Sequence, residues 1–230
     1  MVKFIVLHQR LAAMFRAGGT SSLPFIVVIV GAFSFLLLAI NASSVNATSQ
    51  LSASSPFATD EFFADADTYV ASGRPNQAPS APNLKVIWIG NNQTANYDLE
   101  RGVLKFNIPT AKIPIGSTIA SASLFLTMAG FDDDDDTMEV TVRRMLSDQW
   151  SEDASWNTID AIPVENGVSV TVGKALNKEY EWNVQTMVAA WVNQPARGAL
   201  SHRLDSNRNS GDHERNFWSK DCSNVECNAQ

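Results

Sequence analysis

Residues 119–128 read Ile-Ala-Ser-Ala-Ser-Leu-Phe-Leu-Thr-Met, a stretch in which two kinds of side chain alternate. Ala122, Leu124 and Leu126 occupy every second position, with Ser123 and Phe125 between them. Successive side chains of a β-strand point to opposite faces of the sheet. The stretch therefore predicts a strand that is buried on one face.

Similar alternation recurs along the chain, between clusters of Gly, Pro, Asn and Asp that are typical of turns. The predicted strands are residues 61–70, 84–89, 103–108, 119–128, 138–145, 168–172 and 180–184. Short half-buried strands without helices between them pair antiparallel in two packed sheets. The sequence therefore predicts an all-β fold, an antiparallel jelly-roll-like β-sandwich.

One segment departs from this pattern and has helical spacing instead. Val184, Val188, Trp191 and Val192 lie at positions i, i+4, i+7 and i+8, which predicts one short helix at 184–193. A tryptophan on the apolar face of such a helix usually packs against the neighbouring sheet. We therefore expect Trp191 to be buried in the core, and the alternation at 180–184 predicts the same for Trp182.

The first 47 residues have the composition of a leader. An uncharged apolar run at 23–40 follows Lys3, Arg10 and Arg16, and 18 residues at about 1.5 Å each nearly cross a bilayer core of about 30 Å. This N-terminal apolar helix is either a signal peptide that is cut after the small residues at 45–47 or an uncleaved anchor. Residues 48–59 then form a flexible linker, and 60–230 form the sandwich.

Both alternatives place the folded domain outside the cell, either secreted or anchored to the membrane. All 24 Asp and Glu residues follow residue 47, so the exported part is more acidic than the whole chain, whose formal net charge is −7. A strongly acidic domain does not favour binding to nucleic acid. Only an uncleaved N-terminal helix would contact the membrane.

Catalytic motifs are not evident in the sequence. It contains no nucleophile elbow, no glycine-rich phosphate loop and no histidine pair at metal-ligand spacing. Carboxylates do occur in pairs, but glycoside hydrolysis requires two of them about 5 to 10 Å apart across a cleft, which proximity in sequence does not provide. We therefore predict no enzyme activity and assign no catalytic residue.

Two further features concern cofactors and cross-links. The acidic run at 132–136 could offer oxygen ligands to Ca²⁺, although it lacks the spacing and the glycine of an EF-hand loop. Asp65 and Asp67 are a weaker Ca²⁺ candidate, and no other cofactor is predicted. Cys222 and Cys227, the only cysteines, are expected to form a local disulfide in an exported protein.

The stretch at 145–157 carries Trp150 and Trp156 in a polar, acidic loop. Two such large side chains either plug the rim of the sandwich or present stacking faces to a ligand. Because the loop follows an alternating strand, capping of the sandwich is the favoured interpretation.

Five sequence blocks resemble, in order, the DNRLRE domain family. They are residues 66–70, 101–108, 115–126, 150–152 with 155–157, and 182–184 with 188–191. The resemblance covers about residues 60–220 and implies a jelly-roll sandwich in secreted or surface proteins. Such domains often accompany polysaccharide-degrading domains, and some are carbohydrate-binding modules for uronate polymers such as alginate.

The chain departs from the family pattern in two places. Asn107 and Asn183 stand where the family usually has Asp, which weakens any role that needs those charges. The family's final apolar strand also has no counterpart before the chain stops at residues 228–230. One sheet is therefore expected to have an unpaired edge.

A uronate ligand requires cationic side chains for its carboxylates, and an aromatic platform can add a contact to the sugar face. The candidate carbohydrate-binding residues on alternating strands and in the basic C-terminal stretch are Lys105, Arg143, Arg203, Arg215 and Trp218. The alternative is that these cations are ordinary surface residues paired with Asp205, Asp212 and Glu214.

The predicted function is a non-catalytic extracellular module that binds an acidic polysaccharide such as alginate. Two alternatives remain open. They are a structural or adhesive surface module and an accessory part of a polysaccharide-degrading enzyme.

Overall fold

A computed structural model describes residues 2–9, 57–79, 85–132, 137–194 and 198–222. The strands are β1 (Val2–Gln9), β2 (Phe57–Phe63), β3 (Ala66–Ala71), β4 (Val86–Asn92), β5 (Asp98–Phe106), β6 (Thr118–Asp132), β7 (Met138–Arg144), β8 (Val168–Val172), β9 (Glu179–Asn183), β10 (Leu200–Ser206) and β11 (His213–Trp218). The described residues also contain two short helices, α1 (Trp156–Asp160) and α2 (Gln185–Val192). Every strand pair in the described residues is antiparallel, which confirms the predicted all-β, antiparallel class.

The strands form two groups that share β6. In the first group, β1 pairs with β2 and β6, and β9 pairs with β6. In the second, β5 pairs with β3, β4 and β10, β7 pairs with β10 and β8, and β11 pairs with β4. The end of β6 pairs with β11 and so joins the groups. Gly90 permits the close approach of β4 and β11, because a Cβ there would lie 2.0 Å from the His213 carbonyl oxygen.

Aromatic side chains from both groups fill the core between them. The rings of Phe4 in β1 and Phe106 in β5 lie 5.5 Å apart. Trp182 in β9 lies 6.1 Å from Phe217 in β11, and its indole N–H donates to the Val140 carbonyl at 2.9 Å. Contact across the two groups makes the fold sandwich-like. The expected burial of Trp182 and Trp191 is confirmed.

The predicted elements agree with the structure within a few residues, with some exceptions. The predicted strand 61–70 is two strands, β2 and β3, and β2 begins at Phe57 inside the predicted linker. The prediction missed β1, β10, β11 and α1. Helix α2 lies within the predicted 184–193. The jelly-roll connectivity stays a prediction.

Strand β1 lies within the segment that the sequence analysis assigned to the leader. Val2, Phe4, Val6 and His8 alternate inward and are buried, and β1 belongs to the same compact unit as the other strands. It lies between β2 and β6, so neither strand is open on that side. The apolar run at 23–40 and residues 228–230 lie outside the described residues. In the described part of the chain, no helix has the length and apolar character needed to cross a membrane.

Candidate functional site

Three neighbouring strands bring arginines to one outer face of the sandwich. Arg203 in β10 is paired with Arg143 in β7 and with Val103 in β5. Arg101 lies two residues before Val103, and Asp205 two residues after Arg203, so strand alternation places both on this face. The arginines are separated in sequence by up to 102 positions and meet only through the strand order.

Asp205 holds the arginine cluster together. Its carboxylate forms ion pairs with the Nε atoms of Arg101 at 2.8 Å, Arg143 at 3.1 Å and Arg203 at 3.1 Å. Asp160 in α1 adds ion pairs with Arg101 and, at 3.9 Å, with Arg203. Burial lowers the pKa of Arg203, and the neighbouring Asp205 opposes that shift. Three guanidinium groups against two carboxylates leave the cluster positively charged.

A groove of about 350 Å³ opens over this cluster. Its lining includes Arg101, Arg143, Arg203, Asp205 and Arg208, together with hydrogen-bonding side chains of Ser206, Asn207 and Asn209. This volume is at the lower end of the range for ligand sites, about 300 to 1,000 Å³. The groove can therefore take a short stretch of an anionic ligand.

Arg143 is the groove cation best placed to meet such a ligand. Its side chain is 34% exposed, and it contacts Asp205 through Nε. Within the described part of the chain, its two terminal nitrogens have no protein partner, and these two donors match the two oxygens of a carboxylate.

The stretch at 145–157, here called the tryptophan segment, packs on the same outer face, beside the groove. Trp150 is 7% exposed in a second apolar cluster with Val70, Val103 and Ile159. Its indole N–H donates to the Ser201 hydroxyl at 3.2 Å. These contacts agree with the capping interpretation of Trp150.

Cations cover both indole rings. The Arg101 guanidinium lies 4.2 Å from the ring centre of the half-buried Trp156, and the Lys105 ammonium lies 4.5 Å from that of Trp150. Such cation–π contacts fix the position of the cation as well as the ring. The tryptophan segment therefore positions Arg101 at the groove.

The structure places the five predicted site residues in different environments. Arg143 and Arg203 line the groove. Lys105 lies on the same face but donates to the Trp150 carbonyl beneath the tryptophan segment, and burial lowers its pKa. Arg215 is fully buried and donates to the Gly173 carbonyl at 3.1 Å, and Trp218 is 8% exposed. The structure does not bring the last three to the groove.

Arg101 and Arg208 line the groove but were not among the residues predicted from the sequence. Strand alternation in β5 could have indicated Arg101, because Arg101 and Lys105 are four residues apart and so lie on the same face of the sheet. For Arg208 the sequence carries no comparable signal, because it follows β10 in a loop. Of the suggested surface partners, Asp205 does pair with Arg143 and Arg203, whereas Asp212 accepts from the Thr94 backbone at 2.9 Å.

One residue of the groove lining, Glu100, is buried and forms a pair of neighbouring carboxyl groups with the buried Glu214. Burial and the neighbouring Glu214 raise the pKa of Glu100 to about 10, and burial also raises the pKa of Glu214. Asn92 donates to Glu214 at 2.9 Å. The pair therefore retains a proton at neutral pH, because two adjacent buried carboxylates disfavour full ionisation.

We expect Glu100→Gln to flatten the dependence of stability on pH. The folded chain binds a proton at Glu100 that the unfolded chain has released above its ordinary pKa of 4.5. The free energy of unfolding of the native chain should therefore fall as pH rises from 4.5 towards 10, by up to about 1.4 kcal/mol per pH unit. Urea unfolding at pH 5, 7 and 9 measures this slope. The exposed Glu139→Gln is the control, and an unchanged slope in Glu100→Gln would contradict the shift.

The structure describes only some of the residues that the sequence suggested as Ca²⁺ ligands. Most of the acidic run, residues 133–136, lies outside the described residues. Asp65 accepts from the Asn107 backbone N–H at 2.6 Å. Asp67 is 3% exposed and lies close to Glu152 and Asp221, and burial raises its pKa to about 7. Cys222 is disulfide-bonded, and Cys227 lies outside the described residues.

An antiparallel sandwich-like fold with a cationic, polar groove on one outer face has the features of a carbohydrate-binding module. The model of carbohydrate-binding module family 96 matches residues 58–228. The chain therefore belongs to this family. The predicted family class is thus confirmed, whereas the DNRLRE assignment stays a prediction. A search of curated proteins found no significant match.

Proposed function

We propose that this module binds an acidic polysaccharide, of which alginate is the model ligand, in the arginine groove without cleaving it. The observation that carries the proposal is the convergence of Arg101, Arg143 and Arg203 at one groove of an otherwise acidic chain. Guanidinium groups suit carboxylates because both are planar and can form two parallel hydrogen bonds. Each uronate unit of such a polymer carries one carboxylate.

Geometry supports recognition of a polymer segment better than recognition of an isolated anion. Asp205 fixes the Nε sides of the arginines, so they are pre-organised before the ligand arrives, which lowers the entropic cost of binding. Ser206 and the two asparagines of the lining offer neutral hydrogen-bonding groups suited to sugar hydroxyls.

Affinity electrophoresis of the full chain through gels that contain alginate, pectin or neutral glucans tests the proposal. We expect retardation by alginate that decreases as salt rises, because the groove contacts are ionic, and little retardation by neutral glucans. A reducing-end assay on alginate should show no product. Equal retardation by neutral glucans would contradict the proposed ligand class, and absence of all retardation would favour a structural or adhesive module.

A further inference from the structure

Three carboxylates from distant parts of the chain converge away from the arginine groove lining. Asp67 lies in β3, Glu152 lies in the tryptophan segment, and Asp221 follows β11. One oxygen from each lies within 4.8 Å of the others. The cluster therefore joins three segments that the sequence separates by 85 and 69 positions.

Hydrogen bonds fix the positions of these carboxylates. The Asp67 backbone N–H donates to Glu152 Oε1 at 3.2 Å, and the Lys220 backbone N–H donates to Asp67 Oδ2 at 2.6 Å. The Lys220 ammonium lies 2.9 Å from Glu152 Oε1 and 2.7 Å from Asp221 Oδ1. With all three carboxylates ionised, a single ammonium leaves a net charge of −2 at the cluster.

Asp67 supplies a second, independent observation. The residue is 97% buried, and in the described part of the chain its Oδ1 has no hydrogen-bond partner. A buried carboxylate oxygen without a partner costs stability, because it has lost its water and gained nothing in exchange. A bound cation would compensate for that loss.

We propose that Asp67, Glu152 and Asp221 form a Ca²⁺ site. All three ligands are oxygens, which hard cations prefer. Two oxygens bound to the same Ca²⁺ ion lie at most about 4.8 Å apart, given a bond length of about 2.4 Å, so the spacing of the three carboxylates is within the range of a Ca²⁺ site. Mg²⁺, with bonds of about 2.0 to 2.1 Å, would draw the oxygens closer together.

Lys220 acts as the competing cation in this site. Its side chain is 21% exposed, so the flexible ammonium can swing into solvent when Ca²⁺ takes its place. Three protein ligands leave several coordination positions to water, which places the affinity near that of extracellular Ca²⁺ modules, with a Kd of about 10⁻⁴ to 10⁻³ M. The bound ion would link the tryptophan segment to β3 and to the end of β11.

Thermal unfolding of the full, EDTA-treated chain in 10 mM CaCl₂ tests the site. We expect Tm to rise by about 3 to 10 °C, because binding stabilises only the folded state. MgCl₂ at the same concentration should produce a clearly smaller rise. Direct binding is measured by isothermal titration with CaCl₂ and by Tb³⁺ luminescence that nearby tryptophans sensitise.

Variants distinguish this site from general ion effects. Asp67→Asn and Glu152→Gln should each abolish the Ca²⁺-dependent rise in Tm, whereas the exposed Glu139→Gln should retain it. Lys220→Met should bind Ca²⁺ several-fold more tightly, because the competing ammonium is gone. No saturable binding of Ca²⁺ to the native chain, a rise in Tm that persists in Asp67→Asn and Glu152→Gln, or an equal response to Mg²⁺ would each overturn the proposal.

Discussion

Arg143→Gln combined with Arg208→Gln is expected to weaken alginate binding at least about 100-fold. Each substitution removes a charge-assisted hydrogen bond worth about 1.5 to 3 kcal/mol, and about 1.4 kcal/mol corresponds to a tenfold change in Kd. Both residues line the groove. Asp205 keeps its ion pairs with Arg101 and Arg203, so the fold should persist.

The matched control removes the same charge elsewhere. Lys112 is paired with Asp60 at 3.3 Å, and Lys178 lies over the Tyr180 ring. Lys112→Gln combined with Lys178→Gln should change alginate retention little, because neither residue lines the groove. Isothermal titration with alginate oligomers at two salt concentrations compares the two double variants.

A lysine version of the groove separates charge from geometry. Arg143→Lys combined with Arg208→Lys keeps both positive charges but loses the planar fork of each guanidinium. We expect affinity between those of the native chain and the glutamine variant. Equal binding by the native chain and the glutamine variant would contradict the groove as the site.

Phe4→Ala is expected to lower the free energy of unfolding by about 3 to 5 kcal/mol, the usual cost of truncating a buried phenylalanine. Phe4 is fully buried, and its ring lies 5.5 Å from Phe106 and 6.2 Å from Phe62. For a domain of this size, Tm should fall by roughly 6 to 20 °C. Urea or thermal unfolding of the full chain measures the change.

The control for this prediction is Phe63→Ala in the adjacent strand β2. Phe63 is 48% exposed, so the same truncation should cost less than about 1 kcal/mol. Equal stability of Phe4→Ala and the native chain would show that β1 does not contribute to the fold. The result also bears on the predicted leader, because cleavage after residue 47 would remove β1.

Local alternation predicted most of the fold correctly. The strand at 119–128 was identified because its side chains alternate, and 168–172 agrees with β8 residue for residue. Strands β10 and β11 were missed because they are buried on both faces: Ser201, His202 and Arg203 are buried in succession, as are Glu214, Arg215 and Asn216. Polar side chains in buried strands remove the alternation on which the prediction depends.

Strand β1 was missed for a different reason. Val2, Phe4 and Val6 do alternate, but a basic N-terminus before an apolar run is also typical of a leader. Local pattern cannot choose between these interpretations. Pairing with β2 and β6, whose partner residues lie at least 48 positions away, places these residues in the sandwich.

The sequence by itself determined the fold class and the burial of Trp182 and Trp191, because each depends on the periodicity of a short stretch. It also named Arg143 from strand alternation and Arg203 from the basic composition of the C-terminal stretch. Tertiary structure alone decided that Arg101 joins Arg143 and Arg203 around Asp205, that Arg215 and Trp218 are buried and do not line the groove, and that Asp67 meets Glu152 and Asp221. The physical reason is strand order: alternation sets which face a side chain occupies, whereas pairing between distant strands sets its neighbours.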